Sequence, residues 1–535
     1  MAWAATADSR AHDVADEAAR ARAVADRSGR WIVAGMVGLT LTALVPLWVA
    51  TPLPLQDLPN HLLKVDVLQR YLAGDAQARE VYELNLRPVP NLACYWVILA
   101  LSPLTGLVGA ARLFVSLCVV GLCVATFVLV RRVNPENTIV SLVAPGIVYT
   151  DFLSKGFLNF TLALPLYVAG LIALANPEPG GRRAGWLCVL ATAIYFTHGF
   201  VFLALGGAAV ALAVLMRLPR REAAVRLGCF LPGAVLFAVW LHGGVGGPSV
   251  DAAAAAVGGS PSVATWDALG WLLGAAYGSA AAASWLVALA ALAVCTLLQL
   301  ARDSATRRFP LSPRDALLAL GLVLAVAYYA TSGAAGPNVS VRFVPLAILT
   351  ALGGLRGPRA RGLRAGLAML LVASTLGLHA RNAAAYVRRS ADVAEVLRGM
   401  GAMQPGASLL PIDLERQPAG SRVNLHAWAY YHIERGGWGP YAHAWRSQHP
   451  VAYRVRPWGP TEFAEGDWFP PETARRAAAC YDYVLVWGGD DAQLTKLGED
   501  FVPVYAGGRL HVWENRSGVR KRPPAAVPEC LAGAS

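Results

Sequence analysis

Residues 51–91 read TPLPLQDLPNHLLKVDVLQRYLAGDAQAREVYELNLRPVPN. The stretch follows an apolar run at 31–50 and gathers Gln56, Asp57, Asn60, His61, Lys64 and Asp66 within eleven positions. Elsewhere in the first 380 positions, polar residues fall mostly in short loops between apolar runs. A chain so sparing with hydrophilic groups, which then sets a cluster of them at a membrane exit, has its chemistry there. Residues 58–71 carry an amphipathic helical pattern, with Asp57 at its start and Pro59 just inside it.

Outward from this cluster, composition sets the class. The chain has 535 residues, of which 56% are hydrophobic and 15% charged, and its mean hydropathy is +0.45. A soluble chain would carry about 25% charged residues. Apolar runs of roughly 15–24 residues recur, the length that crosses the hydrocarbon core. The fold class is therefore a polytopic α-helical membrane protein, with membrane lipids as surroundings. The formal charge of +12 comes from arginines in short loops between apolar runs, as the positive-inside bias produces. No basic-aromatic nucleic-acid module is visible, so nucleic acid is not an expected partner.

The arginines also give a topology. Arg10, Arg20, Arg22, Arg27 and Arg30 precede the first run, which makes 1–30 a cytoplasmic N-terminal segment rather than a cleavable signal. Basic loops at 131–132, 182–183, 217–226, 302–314 and 356–364 fall on the same side. The spans that follow are 31–50, 107–130, 138–150, 157–175, 184–197, 199–216, 227–242, 283–301, 315–331, 341–355 and 365–380. These are about eleven spans in a transmembrane domain 31–381, with a first external loop at 51–106. Counting 92–105 and 266–281 as spans too would give thirteen, but would move most of the basic loops outside; the arginines favour eleven. Residues 382–515 read as an external α/β domain, with a helix over 383–399 and strands over 408–413, 481–487 and 501–513. Residues 516–535 read as a loose tail. Six of the eight cysteines lie in or beside apolar runs, where a lone Cys behaves as a small hydrophobe. Cys480 and Cys530 lie in the polar C-terminal part, where an external location is compatible with a disulfide.

Asp57 is the leading chemical candidate, because a carboxylate at a membrane exit can take a proton from an acceptor hydroxyl or bind a divalent cation. The plainer reading is a helix cap. His61 shares its helical face, four residues on; the plainer reading there is interfacial polarity. Asp151 and Lys155 stand in the short loop of VYTDFLSKGFLNF, where a second carboxylate suits a shared acid/base or metal site; ordinary solvated charge is the alternative. His198, in THG, and His242 are each more often structural than functional. Arg342, in NVSVRFVPL, sits against the positive-inside trend, and its guanidinium is shaped to fork onto a phosphate; Asn338 lies beside it. Residues 425–458 are dense in Trp, Tyr and His, either as a platform for sugar rings or as a membrane-interface anchor.

This layout resembles the GT-C superfamily of membrane glycosyltransferases. Asp57 in LQDLPNH matches the family's first acidic position after the first span, and Asp151 in YTDF falls where the second lies. No DxD and no WWD-type motif is present, so the resemblance is nearer to bacterial single-sugar transferases, similar to protein mannosyltransferases and the lipid A aminoarabinose transferase, than to oligosaccharyltransferases. The resemblance implies inverting transfer of a sugar from a polyprenyl-phosphate donor to a glycan, lipid or protein acceptor at the external (periplasmic) membrane face. In those terms Asp57 and Asp151 are the catalytic residues. They are also the ligands of a divalent metal ion, Mg or Mn, where one is used. His61, Lys155, His198, Asn338 and Arg342 bind substrate, with Arg342 and Lys155 on the lipid phosphate. High Ala, Gly and Arg usage suggests a GC-rich bacterial genome, and hence the bacterial inner (plasma) membrane. The competing classes are a transporter or flippase of lipid-linked or anionic substrates, which would carry more intramembrane charge, and a non-catalytic subunit of envelope polysaccharide assembly. In Asp57→Cys, Asp151→Cys and Arg342→Cys variants, a membrane-impermeant maleimide is expected to label all three positions from outside. Cytoplasmic labelling at any one overturns the single external site.

Overall fold

Backbone N–H and C=O groups find no water inside a bilayer, so an apolar run that crosses must satisfy them within a helix. The computed structural model describes residues 30–176, 181–242, 265–303, 310–331, 340–414, 422–460, 471–523 and 528–531. Asn338 and nearly all of the N-terminal segment lie outside the described residues. Six helices are long and apolar enough to cross: Arg30–Val49, Ala93–Val133, Leu158–Ala175, Ala280–Asp303, Pro313–Thr331 and Arg361–Ala402. A seventh is added if Arg220–Gly228 and Leu231–His242, bent by 47°, make one span. Eleven full-length spans is thus a finer count than the helix lengths support.

The remaining expected spans are shorter elements. Gly181–Thr197 and Gly199–Leu215 have 17 residues each, about 26 Å at 1.5 Å per residue, the lower limit for crossing. Phe343–Leu352 has 10 residues, and the run at 138–150 forms a 3-10 helix, Pro135–Ile147, that contains Pro145. Of the two ambiguous stretches, 266–281 is too short to cross, since Thr265–Leu273 has nine residues. The other, 92–105, forms the first part of Ala93–Val133 and breaks from the rest at Gly106, whose φ of 70° is left-handed.

The amphipathic pattern after Asp57 becomes the helix Leu58–Ala73, with Pro59 in its first turn and Gly74 in the left-handed conformation closing it. Leu58, Leu62, Leu63 and Val65 are almost wholly buried, each worth roughly 1.5–3 kcal/mol relative to exposure. The helix packs against both Ala93–Val133 and a C-terminal helix, Ala429–Arg435. The chain ahead of it is fixed by the loop after Asp151–Ser154: Gln56 and Asp57 donate their backbone N–H groups to the carbonyls of Ser154 (3.1 Å) and Lys155 (3.0 Å).

Two sheets complete the frame. Strand β1 (Tyr82–Leu84), from the first loop, pairs antiparallel with β3 (Val451–Tyr453), and Tyr82 stacks on Tyr453 at 5.1 Å. The second sheet has the order β2 (Leu409–Asp413), β4 (Tyr483–Trp487), β6 (Leu510–Asn515), β5 (Phe501–Gly507). Strand β4 reads YVLVW and is buried throughout, as befits a strand covered on both faces. It runs parallel to β2 and antiparallel to β6. The helix Arg361–Gly399 runs unbroken through position 381 and reaches β5 and β6, so the change of composition at 381 falls within one helix. The tail is fastened where it is described: Cys530 is bonded to Cys480, Leu531 bridges to Pro457, and Lys521 N–H donates to Asp482 at 2.8 Å. The expected loose tail is corrected there, because a disulfide and backbone bonds hold it.

Gly156 has a φ of +80°, and a Cβ placed on it would lie 2.8 Å from the Asp57 nitrogen. Gly156→Ala is expected to lower stability by about 1–3 kcal/mol and to loosen the Asp57 loop. Both are measurable as a reduced thermal midpoint and faster amide exchange at 56–58 in purified protein.

Candidate active site

A cavity of about 530 Å³ opens beside Asp57. One wall comes from the helix Leu58–Ala73 and its entry: Asp57, Asn60, His61 and Lys64. Their spacing of i, i+3, i+4 and i+7 puts them on one helical face. A second wall is apolar, with Phe157, Phe160, Phe200, Leu203, Phe237 and Trp240 from the helical bundle. A third comes from the C-terminal part: His443, Trp445, Gln448 and His449.

Asp57 occupies the position before the helix but makes no capping hydrogen bond. Its Oδ1 accepts from Gln56 Nε2 at 3.1 Å and lies 3.4 Å from His426 Nε2. Burial alone would raise the Asp57 carboxyl; the hydrogen bond and charge of His426, with His61 and His443 behind it, hold it below the usual carboxylate range. The carboxylate therefore stays ionised, about a quarter exposed, and ready to accept a proton. Gln56 is itself fixed, its Oε1 accepting from Arg422 N–H at 2.7 Å.

His61 Nδ1 lies 2.8 Å from the Tyr95 hydroxyl. Burial, helped by the Lys64 ammonium, pushes the His61 imidazole down to about 3. The Lys64 ammonium is buried and donates to Asn60 Oδ1 at 3.1 Å, while Asn60 Nδ2 donates to the Tyr441 carbonyl at 2.8 Å.

Arg342 precedes Phe343–Leu352 and faces the same cavity, its guanidinium 5.8 and 5.9 Å from the rings of Phe157 and Phe160. Among the described residues its Nε has no hydrogen-bond partner, and no ion pair holds the group. His198, at the turn between Gly181–Thr197 and Gly199–Leu215, is buried against Phe160, and its Nδ1 likewise has no partner among the described residues.

Four expected site residues, Asp57, His61, His198 and Arg342, thus share one cavity. Asp151 and Lys155 do not line it. They pair with each other at 3.2 Å, and the Lys155 ammonium rests 3.5 Å from the Trp271 ring centre. Asp151 thus pairs with Lys155 rather than lining the cavity beside Asp57, and among the described residues no three of His, Cys, Asp and Glu converge as a metal site. His242 is exposed and bonds to the Ala238 carbonyl of its own helix. Asn60 and Lys64 belong to the polar cluster and His443–His449 to the aromatic stretch 425–458 but were given no individual role from sequence, and Tyr95 and Asn159 were not singled out. Helical spacing from Asp57 would have found the first two; the rest are joined only by tertiary contacts.

The lowered value of His61 has a sign. Its neutral form is favoured in the folded state, so the stability it contributes is fully present above about 6.5 and is lost as pH falls towards 3. His61→Gln is expected to flatten the acid side of the stability profile over that window, read as thermal midpoint against pH. An unchanged slope would exclude a buried neutral imidazole at 61.

No protein-family model and no curated protein matches the sequence. Among solved structures, the chain is similar to ArnT from Cupriavidus metallidurans bound to undecaprenyl phosphate, with a TM-score of 0.52 and 12% identity, over 92% of this chain and 99% of that one. The apo state of the same protein matches with a TM-score of 0.53 and 11% identity, over 93% and 100%. The arabinofuranosyltransferase AftD from Mycobacteria matches with a TM-score of 0.49 and 15% identity, over 92% of this chain and 40% of that one. This chain therefore shares the overall fold of the ArnT structures.

Proposed function

We propose that this protein moves a sugar, with inversion, from a polyprenyl-phosphate carrier to an acceptor hydroxyl at the external face of a bacterial inner membrane, its N-terminus cytoplasmic. One observation carries the reading: a single ionised carboxylate, Asp57, and two cations, the buried Lys64 and the half-buried Arg342, line one cavity that also has an apolar lining. The binding of undecaprenyl phosphate by the similar ArnT structure supports a lipid-linked donor.

Asp57 takes the proton of the acceptor hydroxyl as its oxygen attacks the anomeric carbon of the donor sugar. The bond from that carbon to the phosphate oxygen breaks with its electron pair, and lipid phosphate departs. Its charge rises along this path, and a cation held in a water-poor site stabilises it most where the charge is greatest. Arg342 suits that role because a half-buried guanidinium with no ion pair among the described residues gains from an arriving anion. A phosphate leaves readily without protonation, so one carboxylate acting as base is enough; glycosidases, which expel a sugar alkoxide, need two.

The test is transfer by purified full-length protein in nanodiscs from radiolabelled polyprenyl-phosphate sugars. Asp57→Asn is expected to lower turnover by roughly a hundred- to ten-thousand-fold while undecaprenyl-phosphate binding persists; Arg342→Ala is expected to weaken that binding. An unchanged rate in Asp57→Asn removes the base assignment. Label crossing the bilayer without transfer would favour the flippase class instead.

A further inference from the structure

We propose that the segment from His443 to His449 is the acceptor subsite, and that it takes a carbohydrate ring. The inference rests on the transfer reading above and names its acceptor class. The aromatic stretch at 425–458 suits either a sugar platform or a membrane anchor by composition, and the structure separates the two roles. His443, Trp445 and Gln448 are half-buried and line the cavity that holds Asp57.

The His443 ring stacks nearly parallel on Trp445, 4.9 Å away at 15°, so the pair forms a rigid aromatic shelf whose usable face is one the two rings do not turn towards each other. His443 reaches this pose with a φ of +48°, a left-handed conformation uncommon for a residue with a side chain. Such conformations persist where surrounding bonds over-determine them, and those bonds are present. Ala442 N–H donates to the Tyr453 hydroxyl at 2.9 Å. The Asn85 carboxamide donates to the carbonyls of Arg446 (2.8 Å) and His449 (2.7 Å). Trp240 Nε1 donates to the Ser447 carbonyl at 3.0 Å. The shelf is pinned from the first loop, from the bundle and from β3, and so is formed before a ligand arrives.

The groups around the shelf are those that hold a sugar. A flat aromatic face matches the C–H face of a pyranose or furanose ring. Gln448 supplies a donor and an acceptor for hydroxyls. His449 Nδ1 accepts from the Trp445 backbone N–H at 3.2 Å, which leaves Nε2 as the N–H donor of a neutral ring. The same cavity is also lined by Phe157, Phe200 and Phe237, so it offers apolar surface for a lipid tail beside the polar groups for a sugar acceptor.

Saturation-transfer NMR on the full chain in nanodiscs tests this, with disaccharides of glucose, mannose, galactose, arabinofuranose and N-acetylglucosamine as probes and a Ser/Thr-containing hexapeptide as competitor class. At least one disaccharide is expected to show a signal that falls about tenfold in Trp445→Ala and in Gln448→Ala and is kept in Trp445→Phe, with undecaprenyl-phosphate binding and thermal midpoint unchanged. Trp31→Ala, at a side chain 76% exposed on the first helix, is the control and keeps the signal. No disaccharide signal, a signal that survives both alanine variants, or a signal from the hexapeptide alone overturns the subsite. Should Trp445→Ala fail to fold, Gln448→Ala carries the same reading. Disaccharide binding lost in these variants, in a protein that transfers from no donor, would uphold the subsite and remove the transfer reading; transfer without such binding would do the reverse.

Discussion

A carboxylate kept ionised beneath a layer of protein is the constraint on which this structure turns. Burial works against the charge of Asp57, and the groups gathered around it, His426 first, reverse that tendency. His426 lies 3.4 Å from its Oδ1 and Gln56 donates to the same atom. The Ser154 and Lys155 carbonyls hold the backbone on the other side. Three distant parts of the sequence therefore meet around one side chain, and the cavity is the space left between them. The helices of the bundle supply its apolar side, and the C-terminal part its aromatic and imidazole side. Neither part encloses a site by itself.

The same arrangement divides charge from grease within one enclosure. Lys64 sits with Asn60 and His61 on the helix Leu58–Ala73, whereas Arg342 sits among Phe157 and Phe160. Under the proposed transfer, a cation in each environment would let a lipid phosphate keep its head in a polar field while its tail stays in an apolar one. The unpartnered Nδ1 of His198, beside Phe160, adds a polar atom to the apolar end. A ligand with an anionic head and a hydrocarbon body matches that division better than a wholly polar one.

Much of this was legible in the sequence, because membrane helices are written in composition and length. The polar cluster after the first apolar run led to Asp57 and His61, and an arginine against the positive-inside trend led to Arg342. The strand patterns at 408–413, 481–487 and 501–513 correspond to β2, β4 and the β5–β6 hairpin. What periodicity does not carry is which loop lies over which. Asp151 looked like a partner for Asp57 because both follow apolar runs, but a short loop lets Lys155 reach back four residues and claim it. Lys64 was named in the polar cluster but given no role of its own, although it sits two helical turns beyond Asp57 on the same face. His443, Trp445 and His449 reach the cavity through the pairing of β1 with β3, and no local signal announces such a long-range ladder.

That ladder has a consequence for how the molecule is made. Asn60 and Tyr441, bonded at the edge of the cavity, are 381 positions apart, and Tyr82 finds its partner only when Tyr453 has emerged. Closing so long a loop costs little more free energy than closing a moderate one, since the penalty grows with the logarithm of length. It cannot happen, however, until almost the whole chain has been synthesised and its apolar segments inserted. A chain interrupted within the bundle would carry Asp57 without its imidazole neighbour and without the aromatic wall. The surroundings of Asp57 are thus complete only once the C-terminal part has been made.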